Sequence, residues 1–149
     1  MSKGSKFMVK IKSIKNIIRS NCEFSNMLKY SHYSPTSEKL NKIVKKYTED
    51  KSIHCFGSFY GDQMIGFIVV KYVDKFMYEI IDIAITPEYR KLGIGSKLID
   101  YVIENFNIKT LYAETDDDAV DFYKKYGFAI NSINKIEETN RYKCTWSAN

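Results

Sequence analysis

The stretch PEYRKLGIGSKL (87–98) sets two of the chain's seven glycines one residue apart, beside Arg90, Lys91 and Lys97. An apolar run ends at Pro87 and an amphipathic one begins near Gly95, so the glycines mark a strand-to-helix corner. A helix leaves its first backbone N–H groups without intrahelical partners, and its dipole is positive at that end. Glycines let the preceding loop bring several such groups onto one anion with no Cβ in the way. Together with the nearby cations, this corner suits a pyrophosphate. Two glycines that merely shape a tight turn are the other reading. A P-loop does not fit, because GxxxxGK[ST] is absent. A dinucleotide fingerprint lacks its third glycine, Leu98 standing in that place.

A second candidate chemistry lies just upstream, in YEIIDIAI (78–85). Glu79 and Asp82 are carboxylates inside an otherwise apolar strand. Partial desolvation there would raise a carboxyl toward the strength of a general base. Strict alternation puts Glu79 with Ile81, Ile83 and Ile85 on one face, and Asp82 with Ile80 and Ala84 on the other.

Two motifs together resemble those of the GNAT superfamily of N-acetyltransferases. In IDIAITPEYRKLGIGSKLIDYVIE (81–104), Arg90-Lys91-Leu92-Gly93-Ile94-Gly95 meets the family's R/Q-x-x-G-x-G/A signature. Ala119, Tyr123, Gly127 and Phe128 meet its second signature, A-x-x-x-Y-x-x-x-G-F, in the family's order and with a strand between the two. The resemblance spans residues 8–147. It implies a coenzyme A site in which Ile83, Ala84 and Ile85 offer backbone bonds to pantetheine. The pyrophosphate would be held by Arg90, Lys91, Leu92, Gly93, Ile94, Gly95, Ser96 and Lys97. The strand 76–86 would splay from the strand 108–115, with pantetheine in the gap.

The resemblance also assigns roles. Tyr123 would stand near the coenzyme sulfur as general acid, a phenol that stays protonated at neutral pH. Glu79 lies six residues before Ile85, the spacing of the catalytic glutamate in the family's histone acetyltransferases, and is the favoured base. Asp82 matches the acidic position of polyamine-acetylating members, and ordered water is a third option. Transfer in the family is direct from acetyl-CoA, so Cys144 and the other thiols need no role. The family often places Asn where this chain has Asp116, three residues before Ala119, and no coenzyme contact is carried over to that position.

The elements that must position these residues follow from periodicity. MVKIKSI (8–14) alternates as a half-buried strand, and 16–30 reads as one helix or two short ones. Ser34 and Pro35 suit the start of a helix that ends near Asp50. Two strand runs flank a Gly61-Asp62 hairpin, and a third covers 76–86. A helix runs from Gly95 to Phe106 and a strand over 108–115. Residues 116–128 read as a helix with an acidic first turn stopped by Gly127. Strands follow around 129–136 and 141–146. The order β-α-α-β-β-β-α-β-α-β-β is that of a mixed α/β (α+β) domain. Its sheet is largely antiparallel with one parallel crossover, flanked by helices.

Composition bounds the remainder. At 149 residues the chain is one domain, long enough to bury about two thirds of its unfolded surface. MSKGSKF (1–7) reads as an added leader, leaving 8–149 as the domain. Three cysteines far apart imply reduced thiols and a cytoplasmic setting. His32 and His54, 22 residues apart, form no metal-ligand cluster with them, so no metal is expected. No apolar run is long enough for a membrane span. Abundant Lys, Ile and Asn points to a low-GC bacterium. Residues 1–50 hold 11 Lys/Arg against 4 Asp/Glu, yet these lysines sit on polar faces, so nucleic acid is not an expected partner. The reading is an acetyl-CoA-dependent N-acetyltransferase, monomer or homodimer, acting on an amine of a small molecule or peptide. The alternative is a catalytically silent coenzyme A-binding module.

Overall fold

Seven residues in a row, Met64 to Val70, are buried, which a strand allows only if both faces of its sheet are covered. A computed structural model describes residues 8–33 and 35–149 and shows how. That strand, β3 (Gln63–Asp74), is third in a seven-stranded sheet of order β1-β2-β3-β4-β5-β7-β6. The others are β1 (Lys10–Ser13), β2 (Ile53–Tyr60), β4 (Met77–Ile85), β5 (Thr110–Thr115), β6 (Ala129–Ile136) and β7 (Thr139–Ser147). All neighbours are antiparallel except β4 and β5. The element order is the one read from the sequence.

Helices cover each face. On one, α1 (Cys22–Met27) and α2 (Ser37–Glu49) close a cluster holding Phe24, Met27, Tyr47, Phe67, Val69 and Ala84. On the other, α3 (Ile94–Phe106) and α4 (Val120–Tyr126) close a cluster holding Ile68, Val70, Ile80, Leu98, Ile99, Val102 and Tyr123. The α3 stripe is the periodicity seen in the sequence. Leu98, Ile99 and Val102 are wholly buried, each stabilising the fold by roughly 1.5–3 kcal/mol.

Several boundaries differ from the sequence reading. The α2 cap is Thr36, whose hydroxyl accepts the Lys39 amide at 3.2 Å. Ser34, the expected cap, lies outside the described residues, as does the leader 1–7. Residues 15–20 form turns, and helix begins only at Cys22, capped by the Asn21 side chain. The acidic run Asp116–Asp118 is a turn ahead of α4 rather than its first helical turn. The Asp116 side chain accepts the Asp118 amide at 3.0 Å, the local bond by which Asp competes with helix.

The strand β4 carries a consequential irregularity. Its ladder to β3 pairs Val69 with Asp82 and Val70 with Ile80, leaving Ile81 as a surplus residue. The bulge resets the alternation. Tyr78, Ile80, Ile83 and Ile85 point to the α3–α4 side, and Ile81, Asp82 and Ala84 to the α1–α2 side. Strict alternation had set Glu79 and Asp82 on opposite faces; the bulge brings them to the same one.

Candidate active site

Beyond Ile85 the chain makes a 3-10 turn (Pro87–Tyr89) and then enters α3 through two residues in the left-handed region, Lys91 (φ 65°) and Gly93 (φ 79°). Gly93 is the N-cap and has no side chain to cap with. The first amide to be taken up is that of Lys97, by the Gly93 carbonyl at 3.0 Å. The amides of residues 91–96 bond to no described residue. Arg90 folds back, its Nε donating to the Ile85 carbonyl at 3.1 Å and its guanidinium lying over the Tyr30 ring at 5.6 Å. Lys91, Leu92 and Lys97 are exposed, Ser96 is half-buried, and Ile94 and Gly95 are buried. The corner thus offers a row of unengaged amides edged by cations, an anion cradle in form.

The strands β4 and β5 pair only from Met77↔Thr110 to Glu79↔Tyr112. Past that rung they part, and the fork-side edge of β4 from Ile80 to Ile85 has no strand partner. A cavity of about 510 Å³ occupies the fork. It is lined by residues 80–83 of β4, the end of β5 (Glu114, Thr115), Tyr123 of α4, Arg141 of β7 and the segment 29–33. Ala84 and Ile85 are outside that lining.

On the α3–α4 side, Tyr123 is 4% exposed, and its hydroxyl makes no hydrogen bond to a described residue. Burial, with smaller contributions from Cys144 and Asp82, holds its pKa well above the usual phenol value. It therefore stays a proton donor at any physiological pH.

On the α1–α2 side, Asp82 is 6% exposed. Its Oδ2 accepts two hydrogen bonds, from Tyr47 Oη at 2.7 Å and His32 Nε2 at 2.7 Å. That bond raises the His32 pKa above 6.5, against the opposing effect of burial. Burial, then Asp82, pushes Tyr47 far up, so it remains a donor. Glu79 stands at the last paired rung, outside the cavity lining; burial and the nearby Glu114 raise its pKa.

A family model for the acetyltransferase (GNAT) family matches residues 16–128. The chain belongs to that family. It is an acyltransferase fold with many solved counterparts, and those compared below share the architecture at low sequence identity. The GNAT domain is similar to the ribosomal-protein-S18-alanine N-acetyltransferase from Escherichia coli. The identity is 17% over 94% of both chains, with a TM-score of 0.75. A GNAT family acetyltransferase from Elizabethkingia anophelis with acetyl-CoA bound is 22% identical, covering 94% of this chain and 98% of that one, at a TM-score of 0.69. A Bacillus subtilis acetyltransferase in complex with CoA is 20% identical, covering 95% and 99%, at 0.70. No curated protein sequence matches the chain.

Within this GNAT domain, the sequence had singled out Tyr123, Asp82 and Ile83, and all three line the cavity. Residues 90–97 gather at the corner. Asp116, where the family often has Asn, also lines the cavity, but its Oδ1 turns back to its own loop; Asp117 is engaged by Asn140 and Tyr142 at 3.0 and 2.6 Å. Four lining or supporting residues escaped the sequence reading: His32, Tyr47, Glu114 and Arg141. Arg141 presents a buried Nε with no partner among the described residues, a donor left over for a bound molecule. His32 and Tyr47 lie 50 and 35 positions from Asp82, a separation no local pattern bridges. Among the described residues no group of three or more His, Cys, Asp or Glu could hold a metal ion, and no helix is long and apolar enough to cross a membrane.

Proposed function

We propose that this GNAT domain transfers an acetyl group from acetyl-CoA to a primary amine of a small molecule or peptide. Acetyl-CoA, when bound, supplies the activated acyl group as a thioester; the chain's own residues do the rest. The unengaged amides of 91–96, with Arg90, Lys91 and Lys97, take the pyrophosphate. The unpaired edge of β4 at Ile83, Ala84 and Ile85 offers main-chain groups to the pantetheine arm, a strand addition in miniature. Tyr123 donates the proton that lets the thiolate leave.

Proton removal from the amine falls to the α1–α2 side of the fork. Both carboxylates named from the sequence are there. Glu79 stands at the last paired rung, outside the cavity lining, whereas Asp82 forms part of its wall, which supports the neighbourhood of Asp82.

One observation carries this reading. The cavity beyond the last β4–β5 rung has an uncommitted phenol on one wall and a hydrogen-bonded carboxylate on the other. Thiol release from acetyl-CoA, followed against a panel of amines, tests it. Amine-dependent release is expected. Coenzyme binding with no release for any amine would make the protein a coenzyme A-responsive binding module instead.

A further inference from the structure

We infer that His32 is the catalytic base of this site and that Asp82 and Tyr47 are positioning residues acting through it. This rests on the acetyl-transfer reading above and goes beyond it. An ionised carboxylate can only accept hydrogen bonds, so a neutral His32 must place its proton on Nε2 to reach Asp82 Oδ2 at 2.7 Å. Nδ1 then carries the lone pair. The Tyr47 hydroxyl fixes the same carboxylate oxygen from α2 at 2.7 Å, so the imidazole is held by a partner that is itself held. The His32 side chain is 31% exposed and lines the cavity shared with Tyr123, so the ring is anchored yet open to a substrate.

Asp82 faces the imidazole from β4 at hydrogen-bond distance. The other charged groups lining the cavity are Lys29 from its own segment, Glu114 from the end of β5, Asp116 and Asp118 from the turn after it, and Arg141 from β7. Of these, Asp82 dominates, raising the imidazole's affinity for a proton. In the reaction the amine nitrogen forms a bond to the acetyl carbonyl carbon, and its proton passes to His32 Nδ1. The C–S bond breaks with its electron pair on sulfur, and that thiolate takes the Tyr123 proton. Exchange with solvent then returns the proton from His32 and restores Tyr123.

The test has two arms. Histidine NMR titration of the unmutated, ligand-free chain should show His32 as the Nε2–H tautomer with a pKa above 6.5, falling in Asp82→Asn. An Nδ1–H tautomer, or a pKa unmoved by Asp82→Asn, overturns the inference. In steady-state kinetics with acetyl-CoA and an accepted amine, His32→Gln should lower kcat about 10²-fold or more while KM for acetyl-CoA stays within about threefold. The acid limb of the wild-type profile should vanish in His32→Gln and move to lower pH in Asp82→Asn. Imidazole should restore part of the rate to His32→Ala. Wild-type turnover with an unchanged His32→Gln profile overturns this inference alone; no wild-type turnover with any amine overturns the acetyl-transfer reading as well.

Discussion

Gly95, in the first turn of α3, sits so close to Phe122 of α4 that a Cβ there would fall 2.8 Å from the ring's Cε1 and 2.9 Å from Cζ. This glycine of the corner is therefore a packing residue, joining the helix that would grip coenzyme to the helix that carries Tyr123. Gly95→Ala should cost roughly 1–3 kcal/mol in chemical denaturation, as overpacking does. Phe122→Leu in the same chain should return most of it. A Gly95→Ala protein as stable as wild type would mean that the Phe122 ring swings aside at little cost.

Gly93 has a different reason to be glycine. Its φ of 79° is one that other residues adopt at a cost of about 1–2 kcal/mol, while the space around a Cβ is open. Gly93→Asn should be tolerated better than Gly93→Ala, and Gly93→Asp should weaken coenzyme A binding the most by adding an anion to the cradle. Calorimetric titration with coenzyme A gives the order directly; equal affinities for the Asn and Asp variants would remove the phosphate from this corner.

Tyr123→Phe removes a hydroxyl that no described residue engages, so the fold should be little affected. The kcat for acetyl transfer should fall about 10²-fold, and KM for acetyl-CoA should change little. Because burial keeps the phenol protonated far into alkali, the alkaline side of the pH–rate profile should not report its ionisation. Parallel losses in kcat and coenzyme affinity would instead make Tyr123 a packing residue.

The pairing of His32 with Asp82 has a thermodynamic signature independent of catalysis. The His32 pKa is raised by folding, so its contribution to stability is fully present below the unfolded value near 6.5 and fades as pH rises through the folded value. The stability gap between wild type and His32→Gln should accordingly be widest in mild acid and close in alkali. A gap constant from about pH 6 to about pH 8.5 would mean the imidazole gains no proton affinity on folding.

Tyr47→Phe withdraws a donor from a buried carboxylate, a loss of roughly 1.5–3 kcal/mol. Urea unfolding should show it, and His32 should still titrate above 6.5 because its own bond to Asp82 remains. A variant as stable as wild type would mean that water takes over the Tyr47 bond.

Much of this arrangement was legible in the residues. Local periodicity located every strand and the long α3, because burial on one or both faces writes itself into the order of side chains. The turn at RKLGIG was legible for another reason, its geometry depending on neighbours within a few positions, while Tyr123 was singled out only by the resemblance of its motif. Asp116–Asp118 misled because Asp caps a turn as readily as it opens a helix. The α1–α2 side of the cavity was not legible. His32 and Tyr47 meet Asp82 only through the tertiary fold, and the shift in β4 leaves no mark in YEIIDIAI, where isoleucines stand on both sides of Asp82.

That shift has a consequence for how such a site could diversify. The surplus Ile81 acts as a half-turn of phase, so that Ile80 and Ile83, three positions apart, both lie beneath α3 and α4 while Ile81 and Asp82 share the opposite side. Deleting Ile81 would restore strict alternation with Asp82 still on the His32 side and Ile83 and Ile85 still beneath α3 and α4, whereas flattening the bulge with every residue kept would turn Asp82, Ile83 and Ile85 together to the opposite sides. At this point the strand can thus lose a codon without turning any of the other side chains it presents to the cavity.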